Sequence, residues 1–116
     1  MATSTDIVKK QLVYWAQVNA AAVGGNVDYA VQNGPGVLTG AMAASVYTVT
    51  MPANFTVPLN RRFVVLTANS AVLGASVQYD AAASAANTVV VRGAAFGGGA
   101  LDVAFQIAIY RVEMLP

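Results

Sequence analysis

Short runs rich in Val, Tyr, Phe and Thr recur along this chain, and Gly, Pro, Asn or Ala breaks each of them before it grows long. The clearest are QLVYWAQVN (11–19), NVDYAVQ (26–32), SVYTVTM (45–51), RRFVVLTA (61–68), ASVQYDA (75–81), TVVVRGA (88–94) and DVAFQIAIYRVEML (102–115). This punctuation is the signature of an all-β antiparallel sandwich or barrel, and it predicts about seven or eight strands. The first run also fits helical spacing through Val8, Leu12 and Trp15, but Val13, Tyr14 and Trp15 in succession favour a strand. Residues 1–10 read as a polar N-terminal arm and 11–116 as one sandwich domain, a length that supports a single hydrophobic core.

Successive side chains of a strand point to opposite faces, so each run states how it is covered. SVYTVTM sets Ser45, Tyr47, Val49 and Met51 against Val46, Thr48 and Thr50, which reads as a half-exposed strand ended by Pro52. RRFVVLTA is apolar on both faces, Phe63 and Val65 against Val64 and Leu66, which predicts a strand covered on both sides, in the middle of something. The last run is the most demanding. Val103, Phe105, Ile107 and Ile109 form a core face, yet the opposite face carries Ala104, Gln106, Ala108, Tyr110, Val112 and Met114 with no charge. A solvated sheet face would be polar.

Composition sharpens that conflict. Hydrophobic residues make up 57% of the chain and charged ones 9%, where soluble domains average about 25% charged. Mean hydropathy is +0.58. No stretch supplies the roughly 20 predominantly apolar residues of a spanning helix, because Gln, Asn, Thr, Ser, Gly and Pro interrupt each one. The reading is a soluble protein that buries its surplus apolar surface against copies of itself. Net charge is +1, and Lys9, Lys10, Arg61, Arg62, Arg92 and Arg111 form no basic stripe, so neither nucleic acid nor a membrane is an expected partner. The opening MATSTDIVKK lacks the apolar core of a secretory signal.

Candidate chemistry is sparse. With neither Cys nor His, thiolate nucleophiles, disulfides, ordinary zinc sites and histidine bases are excluded, and no catalytic, metal or cofactor residue is assigned. Asp28, Asp80 and Asp102 stand far apart in sequence and read as solvated residues at strand ends or loops rather than as a carboxylate pair. Arg61 and Arg62 read as gatekeepers of the apolar run that follows, or else as an anion contact. Gly97 to Gly99 lack the Lys and Ser/Thr of a phosphate loop and precede a strand, so they read as a hairpin turn. Asn54, Phe55 and Thr56 match a glycosylation sequon, which carries little weight without secretion. Trp15 with Tyr14, Tyr29, Tyr47 and Tyr79 suits either packed core and interface positions or a sugar-stacking platform, with the former preferred.

The order YWAQVN, GGNVDYAVQNGPG, VYTVTMPANF, RRFVVLTA, VQYD, TVVVRGA, DVAFQIAIYRV resembles the small β-sandwich domain of bacteriophage particle proteins, over about residues 11–113. In those domains a Trp-containing first strand leads to a Gly-Xaa-Tyr-Thr-Val-Thr type strand ending in Pro, and an Asp-led strand closes the chain. The resemblance implies a jelly-roll trimer, used as a tail-fibre tip or as a head decoration (cement) protein. Here AASVYTVTM replaces the Gly-led strand and no heptad stalk is present, so the decoration role is the expectation and a glycan-binding fibre tip the alternative. The resemblance thus implies, as an expectation, a non-enzymatic virion component on the capsid surface, made in the host cytoplasm, with itself and the major capsid protein as partners. Gln106, Ala108, Tyr110 and Val112 are then expected at the subunit interface. Thr3, Ser4, Thr5, Asp6, Lys9 and Lys10 of the arm are expected to touch the capsid.

Overall fold

The computed structural model describes residues 8–114. Eight strands form two antiparallel four-stranded sheets that pack face to face as a sandwich. In chain order they are β1 (Val8–Val18), β2 (Tyr29–Asn33), β3 (Met42–Ala43), β4 (Val46–Thr50), β5 (Arg62–Ala68), β6 (Ser76–Tyr79), β7 (Thr88–Ala94) and β8 (Phe105–Met114). The first sheet runs β2-β1-β8-β5 and the second β3-β4-β7-β6. The first and last strands therefore pair at the centre of one sheet, from Val8 opposite Met114 to Val18 opposite Phe105.

The core lies between the inner faces and follows the period of two. Tyr14, Ala16 and Val18 of β1, Tyr47 and Val49 of β4, Val89 and Val91 of β7, and Phe105, Ile107 and Ile109 of β8 are all buried. The ring of Phe105 meets that of Tyr47 edge-on at 5.0 Å, a geometry the ring quadrupoles favour. The two tyrosines bring polar tips into this core, and each tip has a partner. Tyr14 Oη donates to Phe55 O at 2.7 Å, whereas Tyr47 Oη donates to Ala20 O at 2.6 Å and accepts from Val103 N at 3.0 Å.

Several expectations are refined by these elements. The alternation of residues 45–51 is as predicted, with Ser45, Tyr47, Val49 and Met51 buried and Val46, Thr48 and Thr50 half-buried. β1 starts at Val8, so Lys9 and Lys10 of the expected arm are strand residues paired with Glu113 and Val112. β5 is a correction. It lies at the edge of its sheet, and the described chain covers one side only: Phe63 and Val65 are exposed on the face expected to be covered. Gly97 and Gly98, both with positive φ, do make a tight turn closed by Gly98 N to Ala95 O. The turn sets Ala94 against Ala100 in an antiparallel bridge, with Ala95 N donating to Gly99 O, before the chain crosses to β8 in the other sheet.

Candidate assembly surface

Cross-strand pairing dictates which side chains share the outer face of the first sheet, since directly opposed residues point the same way. Gln17 of β1 stands opposite Val31 of β2 and Gln106 of β8, and Gln106 opposite Thr67 of β5. The next row is Asn33, Trp15, Ala108 and Val65. After a bulge between Leu12 and Tyr14, a third row holds Leu12, Tyr110 and Phe63, and Lys10 with Val112 follows at the margin. The bulge matters because one extra residue, Val13, restores the outward phase of Leu12.

The result is an apolar face at its centre. Leu12 is 49% exposed, Val31 48%, Phe63 43% and Val65 40%, while Trp15, Ala108, Tyr110 and Val112 are half-buried by their neighbours. The Phe63 and Tyr110 rings lie 5.9 Å apart at 50°. Lys10 Nζ sits 4.7 Å from the centre of the Phe63 ring, a cation-π contact that caps the margin of the patch. The outer face of the second sheet is different in kind: Thr48, Thr50, Gln78, Thr88 and Arg92 lie in its strands, and Arg92 Nε donates to Asp80 at 2.7 Å. Val46 and Val90 share that face, so it mixes polar, charged and apolar residues, whereas the centre of the first sheet's outer face is apolar.

Of the residues expected at the subunit interface, Gln106, Ala108, Tyr110 and Val112 all fall in these rows. Sequence reasoning missed Leu12, Trp15, Val31, Phe63 and Val65, which join them only through the pairing of β1, β2 and β5 about β8. Of the arm residues expected at the capsid, Thr3, Ser4, Thr5 and Asp6 lie outside the described residues, while Lys9 and Lys10 are exposed on β1.

The remaining candidates do not converge. Asp28 accepts from Asn19 Nδ2 at 2.9 Å, Asp80 pairs with Arg92, and Asp102 accepts from Ser45 Oγ at 2.7 Å, each at a separate place. The hydrogen bond from Arg92 holds the Asp80 carboxyl below its ordinary range. Among the described residues no three potential metal ligands cluster. Tyr14 and Tyr47 are core residues while Trp15 faces outward, so the five aromatics do not form one platform. Asn54 and Phe55 of the sequon lie in a 3-10 turn, Ala53–Phe55. Arg62 points inward and spends its guanidinium on main-chain carbonyls, donating to Val57 O at 2.7 Å and Thr88 O at 2.8 Å. The most extended feature of the described surface is therefore the outer face of the first sheet. Comparison with protein-family models, with characterised proteins and with solved structures gives no match.

Proposed function

We propose that this chain is a structural subunit that works by assembly: a homotrimeric, jelly-roll-like head decoration protein of a bacteriophage particle. The observation that carries the reading is the outer face of β2-β1-β8-β5, with Leu12, Trp15, Val31, Phe63, Val65, Ala108 and Tyr110 in three adjacent rows free of charge and Lys10 at the margin. Contiguous apolar patches beyond a few hundred Å² mark interaction surfaces in soluble proteins. At a strand spacing near 4.8 Å and a rise near 3.4 Å per residue, four strands over the six residues of these three rows present roughly 390 Å² in plan. Side-chain relief raises that toward the ~800 Å² per partner of a standard interface.

In this reading three copies turn these faces toward a common axis, and the trimer binds the assembled shell through the major capsid protein. Its action is mass action. A subunit that binds the finished shell and not its parts stabilises it by RT ln(1 + [L]/Kd), about 2.7 kcal/mol at a hundredfold excess over Kd. No catalytic group is required. The resemblance in strand order, from the Trp-bearing first strand to the Asp-led last one, supports the viral setting, and the exposed apolar rows support the assembly.

Two measurements test it. Light scattering of the purified protein is expected to give three times the 11.9 kDa chain mass, and incubation with empty shells of the encoding virus is expected to sediment it with them. A monomer at micromolar concentration removes the assembly reading, and a trimer that ignores shells removes the decoration role alone. A trimer that ignores shells and binds a host glycan instead would establish the fibre-tip alternative.

A further inference from the structure

Two arginines stand opposite one another across β5 and β8, Arg62 and Arg111, and they are treated very differently. The Arg62 guanidinium is saturated: Nε and Nη2 donate to Val57 O, Nη1 to Thr88 O and the Tyr79 hydroxyl, and Nη2 also to Ala85 O and Ala86 O. Arg111 has one bond, Nη2 to Thr56 O at 3.0 Å. Its Nε is the one buried side-chain nitrogen or oxygen among the described residues without a hydrogen-bond partner. Buried donors are nearly always paired, so this side chain, with one bond on its whole guanidinium, holds donor capacity that the described chain does not use.

Arg111 borders a cleft of about 310 Å³ whose other walls are Gln11, Val13, Pro35, Asn54 and Phe55. The side-chain amides of Gln11 and Asn54 make no hydrogen bond to another described residue. Gln11 pairs with Arg111 across β1 and β8, so the two side chains leave the sheet on the same side, the core side, at its open end. The cleft is built from that strand end and two loops, apart from the outer-face rows described above. From these features we infer a carboxylate-binding site centred on Arg111, with Gln11 and Asn54 as neutral donors and Phe55, Val13 and Pro35 as the walls for an apolar group beside the carboxylate.

Charge and shape select that ligand class. Lys9, Lys10, Arg61, Arg62 and Arg111, five of the six cations of the chain, gather by strand register at this end of the sheet, with Glu113 as the carboxylate opposite Lys9. The loops at the other end, residues 19–28, 69–75 and 95–104, contain Asp28 and Asp102 and no cation. The field thus draws anions to the cleft. Within it, one guanidinium with unused donors suits one negative charge, and its planar fork matches the two oxygens of a carboxylate. Thr56 O takes one of the two Nη2 hydrogens, so a carboxylate can take the other together with an adjacent idle donor, the two-oxygen fork of guanidinium and carboxylate.

The inference is independent of the assembly reading and is tested on the full chain by ¹⁵N-edited NMR. Phenylacetate is expected to shift the Arg111 Nε–H signal and the backbone amides of Gln11, Asn54 and Phe55 saturably, with Kd on the order of millimolar. Acetate is expected to shift the same signals more weakly, and phosphate no more tightly than phenylacetate. Arg111→Lys keeps the charge but not the fork, and should weaken phenylacetate binding about tenfold or more. Asn54→Ala leaves the guanidinium and the strands untouched and should weaken it severalfold, which keeps the test valid if the arginine variant is poorly folded. A peptide ending in a free Phe carboxylate, compared with its amide, separates the sources: tighter binding than phenylacetate points to a protein terminus, equal binding to a free acid. Shifts that grow linearly without saturation, unchanged binding in both variants, or phosphate binding more tightly than the carboxylates would overturn the assignment.

Discussion

The Phe63 and Tyr110 rings lie 5.9 Å apart on the outer face of the first sheet, where Phe63 is 43% exposed. The pair joins the edge strand β5 to the central strand β8, and Leu12 completes the row from β1. Aromatic pairs of this kind add about 0.5–1.5 kcal/mol beyond their buried area, and that gain is largest where water is excluded. An interface supplies the exclusion.

The Tyr110→Glu variant is therefore expected to remain folded and to lose self-association. In the free chain its carboxylate reaches water, but in an assembly it would be desolvated without a partner, at a cost of about 3–5 kcal/mol. Light scattering should report a monomer at micromolar concentration, with the circular dichroism spectrum of the wild type. An intact oligomer would place the contact elsewhere. Since Lys10 at the margin is the one formal charge in the rows, oligomer mass should also change little with added salt.

Arg62 holds the end of the sandwich shut. From β5 in the first sheet its guanidinium reaches Thr88 O and Tyr79 Oη of the second, and Val57 O in the chain between them. Arg62→Met keeps most of the aliphatic stem but leaves those acceptors unpaired, and it should lower unfolding free energy by about 2–3 kcal/mol. Urea titration measures this. A loss within the scatter of ordinary surface substitutions would mean that water replaces the guanidinium at no cost.

The turn between β3 and β4 is strained in a way that invites a stabilising change. Ala44 and Ser45 both have positive φ, 51° and 63°, the two-residue geometry that usually calls for Asn-Gly. Ser45 is compensated, since its hydroxyl donates to Asp102 and its carbonyl accepts from Gly93 N. Ala44 is exposed and has no such recompense. Ala44→Gly should raise stability by up to about 1 kcal/mol, because glycine enters this region freely and the alanine Cβ does not. Thermal melting is expected to move up by several degrees, as such a free-energy change does in a domain of this size.

That same turn shows where the sequence was readable and where it was not. The core faces of β4 and β8 could be read directly, because alternation over many residues admits one registration against a core. β3 left no trace, since two residues joined to β4 by Ala-Ser carry neither alternation nor a turn signature. The outer-face residues of β8 were legible from missing charge alone, but Leu12, Trp15, Val31, Phe63 and Val65 were not. Their membership depends on sheet order, and the exposure of β5 follows from its edge position, which local composition does not encode. Arg111 stayed unremarked for a related reason: its idle donors are visible only beside the saturated Arg62 across the strand pair.

Three tyrosine hydroxyls set the alkaline limit of the fold. Burial raises the pKa of Tyr14, Tyr29 and Tyr47 above the ordinary value of 10.0, and for Tyr47 the nearby Asp102 carboxylate adds to the rise while the Val103 hydrogen bond opposes it. In the unfolded chain these groups ionise near pH 10, so above that pH the unfolded state has released protons that the folded state still holds. Their contribution is therefore fully present below pH 10 and is lost as pH rises toward and through the folded values. Urea midpoints should be insensitive to these groups between about pH 7 and 9 and should fall steadily above about pH 10. Tyr47→Phe separates the two roles of its hydroxyl. It should cost about 1–3 kcal/mol at pH 7, because Ala20 O and Val103 N lose their partner. It should also make the fall above pH 10 shallower, because one titrating group is gone. A variant that lost stability at neutral pH yet kept the full alkaline slope would assign the pH dependence to Tyr14 and Tyr29 alone.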